Sequence, residues 1–269
     1  MVPQATHSET RSGKQIAFAP AKPVCTTLTI IIPVYNERRT ALSLIETVMA
    51  QPIGQLAREV IIVDDFSTDG TREMLQAVDL ASLCRCPSDS VKLLLHPVNR
   101  GKGAAVRTAL EAATGELILM QDADFEYDPR DYPSLLEPIL EGHADAVFGN
   151  RFHDGAHRVP RFYRFVLNRL FTILCNMLTN LALSDVTACY KVFRRDQLLA
   201  ARLHSDRFSF ETEITVKLAK MGARIYEVPI VYHGRTYAEG KKISWSDGIA
   251  ATYHLFRYRF WDYKKKNAA

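Results

Sequence analysis

The chain has 269 residues, 47% of them hydrophobic, with 34 Lys and Arg against 30 Asp and Glu. That length and apolar content exclude a fibrous or wholly disordered chain and can bury one large α/β core. A net charge of +4 does not by itself demand a polyanionic partner.

Met1 to Val24 mixes Ser, Thr, Gln, Pro and charge without an apolar run, and is expected to be a disordered leader. It has no hydrophobic stretch behind a basic start, as a secretory signal would. Leu28-Thr-Ile-Ile-Ile-Pro-Val34 reads as a buried strand entering a loop at its proline. A helix is expected from Thr40 to Ala50, then a strand over Glu59–Val63 that runs into the acidic turn Asp64 to Gly70. Thr71 to Val78 reads as helix, Val91 to Leu95 as strand, Lys102 to Ala113 as helix and Glu116 to Met120 as strand. Repeated strand–helix alternation predicts a mainly parallel sheet with helices on both faces. In such sheets ligands bind at the carboxyl ends of the strands. The segments Pro33–Glu37, Asp64–Gly70 and Asp122–Asp128 each follow a strand, so they are predicted to meet on one rim.

The second half is less regular. Strands are expected at Asp145–Phe148, Tyr190–Phe193 and Arg224–Tyr232, and helices at Arg161–Leu183 and Phe210–Met221. The stretch from Phe162 to Leu183 is interrupted by Arg164, Asn168, Arg169, Asn176 and Asn180, too polar for a membrane span of about twenty apolar residues. Ile249 to Tyr263 carries Ile249, Tyr253, Phe256, Phe260 and Tyr263 at helical spacing, with Arg257 and Arg259 between them. A basic aromatic helix of this type suits a bilayer interface, or packs on the domain with its basic side in water. From Arg235 to Ala269, eight Lys and Arg face three acids, so this end alone holds the chain's positive excess. Anionic lipid, nucleic acid or plain solvent could each face it.

The five cysteines, Cys25, Cys84, Cys86, Cys175 and Cys189, are odd in number and form no Cys-x-x-Cys pair, and are expected to be reduced thiols in a cytosolic compartment. His153 and His157 flank the turn-like Asp154-Gly155 and are not expected to hold zinc. Arg100-Gly-Lys-Gly103 lacks the spacing of a P-loop.

Asp122-Ala-Asp124 follows an apolar strand directly, with Glu126 two residues on. Hard carboxylate oxygens at such a rim suit Mg²⁺ or Mn²⁺, which bridge phosphate oxygens and neutralise a leaving diphosphate. A lone Asp-x-Asp is most often a surface turn; the combination of motifs is more specific. In order, Pro33-Val-Tyr-Asn-Glu37, Val63-Asp-Asp-Phe-Ser-Thr-Asp-Gly-Thr71, Asn99-Arg-Gly-Lys-Gly-Ala-Ala-Val-Arg107 and Asp122-Ala-Asp-Phe-Glu126 resemble the family-2 glycosyltransferases. The resemblance implies a GT-A fold, an α/β Rossmann-like sandwich, over residues 25–240, with residues 241–269 forming a basic aromatic helix and tail. It implies that Pro33, Tyr35 and Glu37 line the base and ribose pocket, that Asp65 touches base or ribose, that Lys102 meets phosphate or sugar, and that Asp122, Asp124 and Glu126 surround the metal.

Gly149-Asn-Arg151, Asp185-Val-Thr-Ala-Cys-Tyr-Lys-Val-Phe-Arg194, Phe208-Ser-Phe-Glu-Thr-Glu213 and Gly234-Arg-Thr-Tyr-Ala-Glu-Gly-Lys-Lys-Ile243 look like the dolichyl-phosphate mannose and glucose synthase branch. In that branch, arginines at the positions of Arg151 and Arg235, with Arg164 and Asn168 on the intervening helix, bind donor and acceptor phosphates. The branch often has Ser at the place of Asn168 and Gln at the place of Glu126. Chemistry favours a phosphate acceptor independently. A sugar hydroxyl needs a general base, whereas a lipid monophosphate, with a second pKa of about 6, is already largely ionised. Between Arg151 and Arg169 five arginines face the single acid Asp154.

The expectation is an inverting transferase that moves glucose or mannose from a UDP- or GDP-sugar to a polyprenyl phosphate, at the cytoplasmic face of a membrane and with no nucleic-acid partner. The alternatives are a soluble family-2 enzyme acting on a sugar hydroxyl, with Glu211 or Glu213 as base, and a non-catalytic nucleotide-binding module.

Overall fold

A computed structural model describes residues 25–152, 159, 161–235 and 245–261. The leader 1–24, His153 and His157, most of the Gly234–Ile243 motif and the basic tail after Trp261 lie outside the described residues.

β1 (Thr27–Val34), β2 (Ala57–Asp64), β3 (Ser90–Leu95), β4 (Leu117–Met120), β5 (Ala146–Asn150), β6 (Lys191–Arg194) and β7 (Ile225–Pro229) form a 7-stranded sheet in the order β3-β2-β1-β4-β6-β5-β7. All pairings are parallel except those of β6, which runs antiparallel to both β4 and β5. The chain winds outward from β1 to β3 and then returns to β4 on the other side of β1, so the strand order reverses between β1 and β4. Crevices of open α/β sheets form at such a reversal.

β1 is mainly apolar, with an uninterrupted Ile30–Ile32 run, because both its faces are covered. Its alternation divides the core: Ile30 and Ile32 join the cluster that includes Leu44, Ile45 and Val48 of α1 (Ala41–Ala50) and Leu135, Leu136 and Ile139 of α4 (Tyr132–Leu140). Ile31 faces the other layer, with Ala105, Val106 and Ala109 of α3 (Lys102–Ala112) and Ile214 and Leu218 of α7 (Phe210–Met221). α2 (Thr71–Ala77) adds Leu75 to the first layer. α5 (Phe162–Thr179), α6 (Arg195–Ala200) and α8 (Trp245–Phe260) add Cys175, Leu198 and Leu255 to the second.

Two expectations change. The helix expected to run to Leu183 stops at Asn180, whose φ of 58° is the left-handed cap that Asn tolerates. The Asn176 amide then folds the chain back, donating to the Leu183 carbonyl at 2.7 Å and accepting from its N–H at 3.1 Å. α4 was not expected because Pro133 and Pro138 discourage a helix. Pro133 falls in the first turn, where no N–H is needed, and the buried face of Tyr132, Leu135, Leu136 and Ile139 outweighs Pro138.

The C-terminal helix is anchored. Tyr258 is buried; its hydroxyl lies 2.6 Å from Ser205 Oγ, and its carbonyl accepts from Lys220 Nζ at 2.5 Å. Ser205 belongs to a loop pressed on the start of α3: the Ala104 N–H donates to the Asp206 carbonyl at 3.0 Å. Gly101 precedes that helix at φ 93°, and a Cβ there would come within 2.5 Å of the same carbonyl oxygen. Gly101→Ala is therefore expected to cost about 1–3 kcal/mol in urea denaturation, and a neutral outcome would disprove the close packing.

Candidate active site

A cleft of about 430 Å³ opens at the carboxyl ends of β1, β2 and β4, with Pro33, Tyr35, Glu37, Asp65, Lys102, Asp122, Asp124, Glu126, Arg151 and Arg235 among its lining residues. The first two loops are stitched together. Asn36 adopts φ 51°; its N–H donates to Ser67 Oγ at 2.9 Å and its side-chain carbonyl accepts from the Thr68 N–H at 2.7 Å. The Glu37 N–H donates to Thr71 Oγ1 at 3.0 Å. These bonds hold the Glu37 carboxylate toward the cleft and leave Tyr35 exposed at its edge.

Asp65 is buried, and its carboxylate organises the third loop. It accepts from the Arg100 N–H at 2.8 Å and the Gly101 N–H at 2.7 Å, and lies 2.7 Å from His96 Nδ1. Both of its oxygens are committed to protein. Asp65 thus fixes the segment that launches Lys102 into the cleft.

Lys102 Nζ lies 2.5 Å from Asp122 Oδ1 and 4.0 Å from Glu211 Oε1. Burial acts to lower its pKa, but the Asp122 carboxylate, with Cys189 and Glu211, holds it well above the ordinary lysine value. Across the cleft, Arg235 donates from Nη2 to Glu37 Oε1 at 3.0 Å and to Asp124 Oδ2 at 2.8 Å, and from Nη1 to Glu37 Oε2 at 3.1 Å. Its backbone N–H reaches Glu126 Oε1 at 2.6 Å. Burial, then Asp122 and Glu126, push the Asp124 carboxyl up to about 6 against the pull of Arg235. Carboxylates crowded enough to raise one another's pKa are what a divalent cation would relieve.

Glu126 is turned away from that role. Its Oε2 accepts from the Tyr232 hydroxyl at 3.0 Å while Oε1 holds the Arg235 N–H. Among the described residues no three His, Cys, Asp or Glu side chains gather as a closed metal site. Asp122 and Asp124 nonetheless fit Mg²⁺ or Mn²⁺, because such ions are commonly held by one or two carboxylates plus substrate phosphates rather than by an all-protein cage.

Arg151, at the end of β5, makes a bidentate pair with Asp185: Nε to Oδ2 at 2.7 Å and Nη2 to Oδ1 at 2.8 Å. Nη2 also donates to Thr187 Oγ1 at 2.6 Å, and the guanidinium lies 5.0 Å from the Tyr232 ring centre. Asn168 shares Thr187, donating to Oγ1 at 2.6 Å. Arg164 and Asn168 themselves are not among the cleft-lining residues.

The model of glycosyl transferase family 2 matches residues 29–199, more than half of the chain. The chain belongs to glycosyl transferase family 2. This family-2 chain is 32% identical over 211 residues to the glycosyltransferase AglJ of Haloferax volcanii, covering 77% of itself and 63% of that protein. It is 28% identical to the low-salt glycan biosynthesis hexosyltransferase Agl6 of the same organism, with coverages of 88% and 55%. The chain thus spans less than two thirds of either Haloferax relative. A dolichyl-phosphate beta-glucosyltransferase of Dictyostelium discoideum is 27% identical over 87% of this chain and 74% of its own. Glucosyl-3-phosphoglycerate synthase from Mycobacterium tuberculosis, solved with Mn²⁺, UDP and phosphoglyceric acid, superposes with a TM-score of 0.66 at 19% identity, covering 87% of this chain and 79% of that one. These likenesses agree with the expected GT-A fold.

The family-2 cleft thus gathers every expected donor and metal residue. Sequence reasoning assigned no role to Asp185, Thr187, Tyr232 or Lys191, which hold the expected ones in place. Lys191 is fully buried; it donates to Glu211 Oε2 at 2.7 Å and is capped by the carbonyls of Val186 and Ala188. Asp185 opens a quoted motif, a signal that a charged residue there had a task. Burial opposes ionisation of Asp185, yet the Arg151 charge and hydrogen bonds hold its pKa below the ordinary carboxylate value. The stability it contributes is therefore present above about pH 4 and lost as pH falls toward the folded value. Asp185→Asn is expected to cost about 3–5 kcal/mol by thermal denaturation at pH 7, with the gap to wild type narrowing below pH ~4; a gap that is constant with pH would show that Asp185 carries no charge in the fold.

Proposed function

We propose that this chain is an inverting hexosyltransferase that moves glucose or mannose from a UDP- or GDP-sugar to a polyprenyl phosphate. Its charge distribution carries the reading: Asp122 and Asp124 face Lys102 and Arg235 across one cleft, and neither Glu211 nor Glu213 is among the residues that line it. Glu213 is spent on the N–H groups of His204 and Ser205 and on Lys217 Nζ, at 2.8, 2.7 and 2.6 Å. Glu211 gives Oε2 to Lys191 at 2.7 Å, while its Oε1 lies 4.0 Å from the Lys102 ammonium. An ionised phosphate acceptor needs no base, only cations to position it.

In this reading Pro33, Tyr35 and Glu37 bound the nucleoside, and Lys102 meets the diphosphate. Asp122 and Asp124 hold Mg²⁺ or Mn²⁺, which when bound neutralises charge on the departing diphosphate. Arg151, Arg235 and the Arg164–Asn168 face of α5 bind the donor and acceptor phosphates and orient the acceptor for in-line attack at the anomeric carbon. The dolichyl-phosphate relative supports this acceptor class.

The outer surface supports a lipid source. α5 contains no acidic residue and exposes Phe162, Leu167, Leu170, Ile173 and Met177, while α8, in contact with α5, exposes Ile249, Tyr253, Phe256 and Phe260. No helix among the described residues is long and apolar enough to cross a membrane. This face instead suits peripheral binding at the cytoplasmic side of a bilayer, with the arginines meeting anionic headgroups.

Incubation with UDP-glucose or GDP-mannose, Mn²⁺ and polyprenyl phosphate should yield a lipid-linked hexosyl phosphate of inverted anomeric configuration. Asp124→Ala should lower the rate at least ~100-fold. Transfer to a sugar hydroxyl that Glu211→Gln abolishes would replace this reading with the hydroxyl-acceptor one. Separately, Leu167→Glu with Leu170→Glu should abolish co-flotation with anionic vesicles while leaving the melting temperature within a few degrees of wild type; flotation that persists would detach α5 from the bilayer.

A further inference from the structure

The acid cluster of the cleft carries its own cation. Arg235 alone touches three carboxylates from two loops: Glu37 after β1, and Asp124 and Glu126 after β4. The guanidinium bridges Glu37 and Asp124 through a single nitrogen, and its Nε is buried with no hydrogen-bond partner. Lys102 is the second cation, on Asp122. Three carboxylates, Glu37, Asp122 and Asp124, are thus held by two side-chain cations, and Glu126 by the Arg235 backbone N–H and the Tyr232 hydroxyl. One oxygen that a divalent ion would use, Asp124 Oδ2, is engaged by Arg235 at 2.8 Å.

We propose that Arg235 is a removable counter-cation: it occupies Asp124 until a nucleoside diphosphate draws it off, so that divalent metal and nucleotide bind cooperatively. This rests on the reading of Asp122 and Asp124 as metal ligands. A guanidinium and a divalent ion on one carboxylate oxygen repel each other, so metal alone competes with Arg235. A diphosphate offers the planar guanidinium a bidentate anionic partner. Once Arg235 moves to the phosphate, Asp124 is released to the metal, and the metal in turn screens the phosphate. Arg235 gives up its one hydrogen bond to Asp124 and gains phosphate oxygens in its place. Because coupling is reciprocal, nucleotide must raise metal affinity by the same factor by which metal raises nucleotide affinity.

The test measures Mn²⁺ binding without catalysis, by electron paramagnetic resonance of free Mn²⁺, with and without UDP or GDP. Wild type is expected to bind Mn²⁺ weakly alone and at least ~10-fold more tightly with the nucleotide, within the usual range of coupling. Arg235→Gln is expected to bind Mn²⁺ alone several-fold more tightly than wild type and to lose most of the nucleotide-dependent gain. Arg235→Lys, which keeps the charge but cannot hold both Glu37 oxygens as a fork, is expected to fall between them, and it stands in if Arg235→Gln does not fold in metal-free buffer. Equal Mn²⁺ affinity in wild type and both variants, with binding still abolished by Asp124→Ala, overturns the exchange while preserving the metal site. Absence of Asp124-dependent Mn²⁺ binding in any of them, with or without nucleotide, overturns the metal reading itself.

Discussion

β1 is hydrogen-bonded along both edges, to β2 over its whole length and to β4 from Leu28 to Ile31. Because these pairings are parallel, the chain leaves all three strands in one direction, and Glu37, Asp65 and Asp122 arrive at one crevice. Parallel pairing requires crossovers over both faces, and those crossovers bury β1 completely; its uninterrupted Ile run is the cost of that position. The chemistry of the cleft is therefore a product of the core. Displacing β1 by one residue would turn Ile31 into the wrong layer and rotate the loop that carries Glu37.

Charge is treated differently at the rim and behind it. On the cleft wall Arg151 pairs with Asp185, and behind it Lys191 pairs with Glu211, each cation further satisfied by a hydroxyl or carbonyls. Closed pairs contribute rigidity at little net gain in stability. At the rim, acids outnumber their side-chain cations, and burial with like-charge crowding keeps Asp124 reluctant to ionise. Perturbed carboxyls of this kind collect at functional sites.

The nucleotide half of the fold was legible in the sequence because each of its strands is a short β-branched run followed by a loop of unusual composition. Asp122 and Asp124 were legible for the same reason, standing just after Met120 and Gln121. The second half was harder. β6 is only four residues long and enters against the direction of its neighbours, and periodicity carries no information about direction. α4 was hidden by its prolines. Asp65 was expected to touch base or ribose from the family resemblance; that both its oxygens would be consumed by the backbone at Arg100 and Gly101 depends on loop geometry that no local pattern encodes. Asp185 and Lys191 belong to pairs whose members lie 34 and 20 residues apart.

The loop that bears Arg207 and Phe208 forms one wall of the cleft, and Tyr258 of α8 grips its back through Ser205. Glu213 holds the same loop from α7, and Lys217 of that helix lies 5.4 Å from the centre of the Tyr258 ring. The C-terminal helix is thus a buttress as well as an outer surface. Whatever α8 rests upon bears directly on the wall beside Lys102, so the helix that would meet a bilayer also sets the width of the crevice a substrate must enter.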